Sequence, residues 1–307
     1  MVVAAAQGEG GAAAMTRWLV TGAGGQLGSD LVDLLQRSGA EVVGLARAEL
    51  DITDADAVLA ACERFHPDVV INAAAYTAVD AAESDPATAF AVNAEGAGHV
   101  AAATAKLGAR LVHVSTDYVF AGDATSPYDE EAPVAPRSVY GRSKAAGERA
   151  VLEAHPGAYV VRTAWVYGAV GQNFVKTMAR LEREKETVTV VDDQRGSPTW
   201  SRDLADALIT LARSDAPPGV YHCTNAGETT WFGFARAIFE ELGADPTRVR
   251  PTTTAAFPRP APRPAYSVLG HRRWQQAGLP AMRPWRDALR AAFAFCGPAL
   301  RGDPTGA

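Results

Sequence analysis

The sequence predicts an α/β protein, a doubly wound parallel sheet followed by a smaller C-terminal α/β region, on three observations. Short apolar runs alternate with amphipathic segments from Arg17 onward, a glycine triplet sits between the first run and the first amphipathic segment, and the alternation loosens after about residue 168. Such alternation places parallel strands side by side with helices on both faces, because a right-handed crossover returns the chain through a helix.

The elements follow in order. "RWLVTG" reads as a buried strand ending in glycine, and "QLGSDLVDLLQRSG" spaces Leu27, Leu31, Leu34 and Leu35 on one helical face before stopping at Gly39. "EVVGLA" is the second strand, followed by a helix through "DADAVLAACERF" that ends before Pro67. "DVVINAAA" is the third strand, and "PATAFAVNAEGAGHVAAATAKLG" is one long helix with Pro86 in its first turn. "RLVHVSTDYVF" makes the fourth strand, residues 138–155 a further helix, and "AYVVRTAWVYG" the fifth strand.

Beyond these, "NFVKTMARLEREKE" is a charged helix, "TVTVVDD" a strand and "QRGSPTW" a turn-rich piece. The helices "RDLADALITLARS" and "FGFARAIFEELG" follow, and the proline-rich "PTTTAAFPRPAPRPAY" is an extended ordered loop without regular structure. Residues 1–14 read as a flexible tail, an alternative start or a cloning extension before Met15. Residues 15–168 are then a dinucleotide-binding domain, and 169–307 a mainly substrate-binding region partly interleaved with it.

Bulk properties exclude several function classes. A formal charge of -6 leaves no general basic face for nucleic acid. No apolar run reaches the roughly 18 residues of a membrane span. The three cysteines, Cys62, Cys223 and Cys296, form no closely spaced pair, and their odd number suits the reducing cytoplasm.

"TGAGGQLG" places Gly22, Gly25 and Gly28 three apart, after a strand and at the opening of a helix. That context demands a tight turn, close approach of backbone to a pyrophosphate, and free N–H groups at a helix N-terminus, the signature of a Rossmann-like dinucleotide site. NAD-binding chains usually carry an acidic residue at the end of the second strand. Ala46 and Arg47 stand there instead, and an available guanidinium favours the 2′-phosphate of NADPH, with NADH the alternative.

Ligands of this fold sit beyond the carboxyl ends of the strands. Thr116, at the end of the fourth strand, and the helix bearing Tyr140 and Lys144 one turn apart therefore converge near a bound nicotinamide. Reducing a ketone needs a proton donor for the developing alkoxide. At roughly 6 Å and an effective dielectric of about 20, the Lys144 charge stabilises a phenolate by about 3 kcal/mol. That would bring Tyr140 about two pKa units nearer neutrality. Trp165 offers a broad aromatic plate suited to packing on a sugar ring.

The stretches "TGAGGQLG", "PDVVINAAAYTAVDAAE", "STDYVFAG", "VYGRSKAAGE", "RTAWVYG", "NFVKTM", "DDQRGSPT" and, more weakly, "RPAYSVL" occur in this order and span nearly everything from Met15 onward. Through them the chain resembles the extended short-chain dehydrogenase/reductase superfamily and, within it, the dTDP-4-dehydrorhamnose reductase family. The resemblance implies Tyr140 as proton donor, Lys144 as the residue that lowers its pKa and holds the nicotinamide ribose, and Thr116 as a partner of the sugar oxygen. It implies cofactor contacts at Gly25, Gln26, Leu27, Arg47, Asp51, Ile52, Ala75, Tyr76 and Thr77. Thr116, Asp117 and Trp165, with Asn173 of "NFVKTM", are implied on the side of a dTDP-4-keto-6-deoxy sugar.

Some departures qualify the likeness. Tyr118 stands where related dehydratases carry a glutamate for water elimination. Asp30 and Arg202 stand where some reductases of the family hold a magnesium ion between subunits, so no metal is expected. Tyr76 replaces a histidine of some relatives. The expected reaction is NADPH-dependent reduction of the C4 ketone of dTDP-4-dehydro-6-deoxy-L-mannose. The alternatives are another dTDP-4-keto-6-deoxy sugar, as in an antibiotic pathway, and a non-catalytic NADP-binding regulatory subunit resembling the β subunit of methionine adenosyltransferase. Monomer and homodimer both stay open.

Overall fold

The computed structural model describes residues 16–302, so the expected tail over residues 1–14 lies outside the described residues. The chain opens with β1 (Arg17–Thr21), α1 (Gln26–Arg37) and β2 (Glu41–Leu45). Next come α2 (Ala55–Phe65), capped by the Asp54 carboxylate, and β3 (Val69–Asn72). A short α3 (Val79–Ser84), which the sequence pattern did not disclose, precedes the expected long helix.

That long helix is not uniform. Asp85 and Pro86 start α4 (Pro86–Phe90), which widens into a π-helical turn over Ala91–Gly96 before α5 (Ala97–Lys106). The bulge turns Asn93 inward, where its Oδ1 accepts from the Tyr76 N–H at 2.8 Å and its Nδ2 donates to the Tyr76 carbonyl at 3.0 Å and to Ser143 Oγ at 3.0 Å. The irregularity thereby holds the segment after β3, in keeping with the use of π-bulges near functional sites.

β4 (Arg110–Thr116) stops earlier than the expected strand, because Asp117–Val119 form a 3₁₀ turn capped by the Thr116 hydroxyl. Ser138 caps α6 (Val139–Ala154), its hydroxyl accepting from the Gly141 N–H. β5 (Tyr159–Thr163) also ends early: Trp165 adopts the left-handed region at φ 48, and β6 (Val166–Tyr167) leaves in a new direction.

The C-terminal part continues with α7 (Phe174–Glu184), β7 (Val188–Val191), β8 (Arg195–Gly196), β9 (Thr199–Trp200) and α8 (Ser201–Arg213). It goes on through β10 (Gly219–His222), β11 (Thr229–Thr230), α9 (Trp231–Glu241) and β12 (Val249–Thr252). The last elements are α10 (Arg272–Gln276) and α11 (Trp285–Arg301), the latter distorted at Cys296 two residues before Pro298, as a proline inside a helix requires. The proline-rich segment is not wholly irregular, since β12 reaches into it and Thr254–Ala256 form a 3₁₀ turn.

Six parallel strands form the central sheet in the order β10-β5-β4-β3-β1-β2. One apolar core on the sheet joins Leu27, Leu31 and Leu35 of α1 to Leu204, Leu208 and Leu211 of α8. The opposite core gathers Val58 and Cys62 of α2, Val100 and Ala101 of α5, and Val151 of α6. The doubly wound parallel sheet is as expected, and β10 and α8 show how the later chain returns to it. A third core unites Val175, Met178, Phe234, Ile238, Leu289 and Phe293 from α7, α9 and α11. Among the described residues, no helix is long and apolar enough to cross a membrane.

Candidate active site

The strand order reverses between β1 and β3, and the crevice at such a switch point is where this architecture takes a ligand. A cleft of about 900 Å³ opens there, beyond the carboxyl ends of the strands. Its floor is the turn after β1. Gly22 is left-handed at φ 69, and a Cβ there would lie 2.7 Å from the Ala74 backbone. At Gly28 a Cβ would meet the Gly22 carbonyl at 2.2 Å, so α1 packs against the turn only without side chains. Gly25 caps α1 with no side-chain hydrogen bond, leaving first-turn N–H groups for a phosphate beside Gln26 and Leu27.

The adenosine end of the cleft is lined by Ala46, Arg47, Asp51 and Ile52. Carboxylates stand nearby but are engaged: Glu49 accepts from the Ala46 N–H at 2.8 Å, and Asp51 accepts from the Thr53 N–H and hydroxyl. These bonds hold the Asp51 carboxyl below its usual range. Arg47 is exposed and forms no hydrogen bond or salt bridge among the described residues, so its guanidinium can meet an anion. Ala75, Tyr76 and Thr77, held by Asn93, form the opposite lip. These residues fit a phosphorylated dinucleotide.

Thr116, Asp117, Tyr140, Lys144 and Trp165 share the inner end of the cleft. Tyr140 is buried, and burial pushes its phenol up to about 12, opposed by a hydrogen bond with Thr116 and reinforced by Asp117. The expected lowering of Tyr140 by Lys144 is not seen in this geometry, where burial dominates and the Lys144 Nζ donates to the Val114 carbonyl at 2.6 Å. The phenol therefore holds its proton throughout the neutral range, the state a donor requires. Lys144 itself is pulled down to about 8 by burial, with Glu148 opposing.

Asp117 is 3% exposed, and its carboxyl is pushed up to about 6 by burial. Its Oδ1 accepts from the Thr116 hydroxyl at 3.0 Å; Oδ2 makes no hydrogen bond of ordinary geometry, though the buried Ser267 hydroxyl stands near enough to lower the carboxyl. The buried Thr163 hydroxyl on the same wall is likewise unpartnered. Two orphaned polar atoms on residues that line one cleft suit a ligand with hydroxyl groups.

Asn173 is placed elsewhere. It caps α7 through Oδ1, and its Nδ2 donates to Gln26 Oε1 at 3.0 Å and the Gly168 carbonyl at 2.8 Å, so it buttresses the glycine turn from outside the cleft lining. Sequence reasoning missed Thr163 and Trp231 as lining residues, and also the buried Asn72–His113 pair described below. Trp231 opens α9 behind the Thr230 cap, and no spacing rule marks such a residue as facing a cleft formed by distant elements.

Arg202 Nη1 lies 2.7 Å from Asp33 and 3.6 Å from Asp30, and the Ser201 hydroxyl donates to Asp30. Among the described residues no group of three or more histidines, cysteines or carboxylates is arranged to hold a metal.

Residues 16–296 match the family model described as the RmlD substrate binding domain. A dTDP-4-dehydrorhamnose reductase of Streptomyces griseus is 56% identical over 294 residues, covering 94% of this chain and 97% of the relative. A probable dTDP-4,6-dihydroxy-2-methyloxan-3-one 4-ketoreductase of Streptomyces antibioticus is 54% identical, covering 90% and 94%. Among solved structures, a dTDP-4-dehydrorhamnose reductase from Bacillus anthracis in complex with NADP superimposes with a TM-score of 0.88 at 41% identity, covering 91% of this chain and 99% of that one.

Proposed function

Since this chain belongs to the RmlD family of dTDP-4-dehydrorhamnose reductases, we propose that it reduces the C4 ketone of dTDP-4-dehydro-6-deoxy-L-mannose with NADPH, giving dTDP-L-rhamnose. The observation that carries this reading is the meeting of Tyr140, Thr116 and the glycine turn in one cleft.

The cofactor would rest its phosphates on Gly25, Gln26 and Leu27, its adenosine end by Arg47, Asp51 and Ile52, and its ribose near Lys144. When bound there, NADPH would supply the hydride for C4. Tyr140 Oη gives its proton to the oxygen that becomes the alcohol. Desolvation makes a phenolate costly, so the transfer proceeds only as the oxygen gains charge. Thr116 aligns the carbonyl once its hydroxyl turns from Asp117 Oδ1 to donate to the ketone oxygen, and Lys144 places a cation beneath the phenolate that remains. Asp117 and Thr163 present unpartnered oxygens to sugar hydroxyls, and Trp165 covers the ring. Tyr118 supplies no carboxylate, which leaves the reaction at reduction without water elimination.

A second reading within the family is favoured by one finding, the Streptomyces antibioticus relative named for a different 4-keto sugar. We place the protein in the cytoplasm, a reading supported by three cysteines that are all free thiols. The test is to mix protein, NADPH and each 4-keto sugar nucleotide, follow the loss of dihydronicotinamide absorbance, and identify the product by NMR. dTDP-L-rhamnose is expected; turnover of none of these substrates would overturn the enzymatic reading.

A further inference from the structure

Behind the cleft a line of buried polar groups connects β1, β3 and β4 with the Lys144 amine, and the reaction as described makes no use of it. Asn72, at the end of β3, is 1% exposed and His113, on β4, is 1% exposed. Asn72 Oδ1 accepts from the Thr21 hydroxyl at 2.7 Å and from the Ala74 N–H at 3.2 Å. A backbone N–H can only donate, so this contact settles which end of the amide is oxygen. The other end, Nδ2, then donates to His113 Nδ1 at 3.1 Å. A neutral imidazole accepting at Nδ1 carries its hydrogen on Nε2, and Nε2 lies 3.5 Å from Lys144 Nζ.

That orientation discriminates between the two forms of lysine. An ammonium offers only donors, so it would face the imidazole N–H donor to donor. An uncharged amine has one lone pair to accept from Nε2 and hydrogens left for the Val114 carbonyl, the bond present at 2.6 Å. We propose that Asn72 and His113 are positioning residues whose fixed tautomer stabilises the uncharged amine of Lys144.

Burial also favours the uncharged amine, and the oriented pair acts beside it. Glu148, one turn further along α6, favours the ammonium but is itself held by Arg162 of β5 and the Ser115 hydroxyl of β4. Tyr140, one turn earlier, stays protonated. His113 is kept neutral by burial and by Lys144, well below the ordinary histidine range. The amine can thus be a cation under the phenolate during turnover and still exchange its proton with solvent between cycles.

The inference rests on the place of Lys144 in the proposed site but requires no substrate. The chain has four lysines, Lys106, Lys144, Lys176 and Lys185, so protein labelled with ¹³C at lysine Cε gives four titrating signals, that of Lys144 identified by its loss in Lys144→Arg. The Lys144 midpoint is expected near 8. His113→Phe removes the N–H, and Asn72→Ala keeps the ring but frees its tautomer; each should raise the midpoint by about one pH unit toward that of an ordinary lysine. An unchanged midpoint in whichever of the two variants folds overturns the proposal. Failure of the sugar-reduction assay would leave this titration unaffected, so the two readings fail separately.

Discussion

The indole rings of Trp165 and Trp231 stack face to face on the cleft wall, centroids 3.6 Å apart and planes 9° from parallel. Trp165 arrives from the end of β5 in a left-handed conformation that a bulky residue seldom adopts. Trp231 arrives from the first turn of α9, with Phe174 of α7 tilted against it at 4.5 Å. One aromatic pair thus joins the central sheet to the C-terminal region at the place where the sugar nucleotide is proposed to lie. Trp231→Ala removes an aromatic wall of the cleft, and the loss of one such contact with the sugar nucleotide, about 1 kcal/mol, should raise its KM about fivefold. KM for NADPH should stay unchanged, as steady-state kinetics with each substrate varied would show. An unaltered sugar KM would detach the pair from substrate binding.

Tyr140→Phe removes the proposed donor while keeping the ring that meets Tyr118 edge-on at 5.5 Å. General acid catalysis contributes about 10²- to 10⁴-fold, and kcat should fall by that order. NADP binding, followed by quenching of tryptophan fluorescence, should persist because the glycine turn and Arg47 are untouched. Turnover near that of the parent protein would place the donor elsewhere.

What could be read from the sequence depended on how local the determinant was. The glycine turn was legible because its demands are met within eight residues between a strand and a helix, and Tyr140 and Lys144 because they share one helix. Trp231 and Asn173 were not, since the first reaches the cleft through the packing of α9 and the second turns away to hold Gln26. The π-helical turn at Ala91–Gly96 was hidden for a related reason: an alanine-rich run satisfies helical periodicity, and only the demand for Asn93 at the Tyr76 backbone widens it. β10 was missed because "GVYH" is too short to show a period, and its partner β5 lies sixty residues earlier in the register.

Arg162 and Glu148 form a bidentate pair at 2.8 and 2.7 Å, with side chains only 4% and 6% exposed. The guanidinium also lies over the Phe120 ring, 4.9 Å from its centroid. Removing one partner of such a pair strands a buried charge at a cost of about 3–5 kcal/mol, so Glu148→Ala should lower Tm by roughly 10 °C. Replacing both, Glu148→Met with Arg162→Leu, removes the stranded charge and should recover most of the loss. Differential scanning calorimetry decides; equal losses in the single and double variants would show that the helix contact, and not the charge, dominates.

Asp117 ties stability to pH in a direction opposite to that of a salt-bridged carboxylate. Its folded pKa is raised from 3.8 to about 6, chiefly by burial. The folded state therefore binds the proton more tightly than the unfolded chain. The contribution is fully present below the unfolded value and is lost as pH rises through about 6, amounting to about 3 kcal/mol by neutrality. Asp117→Asn keeps the shape and cannot ionise, so its Tm relative to the parent protein should rise between about pH 4 and pH 7 and level off above. The same change replaces the unpartnered Oδ2 acceptor by a donor, so binding of the sugar nucleotide should weaken even as the fold gains stability. A Tm difference independent of pH across this range would mean that Asp117 titrates elsewhere, and its orphaned oxygen would then have to be reached by solvent.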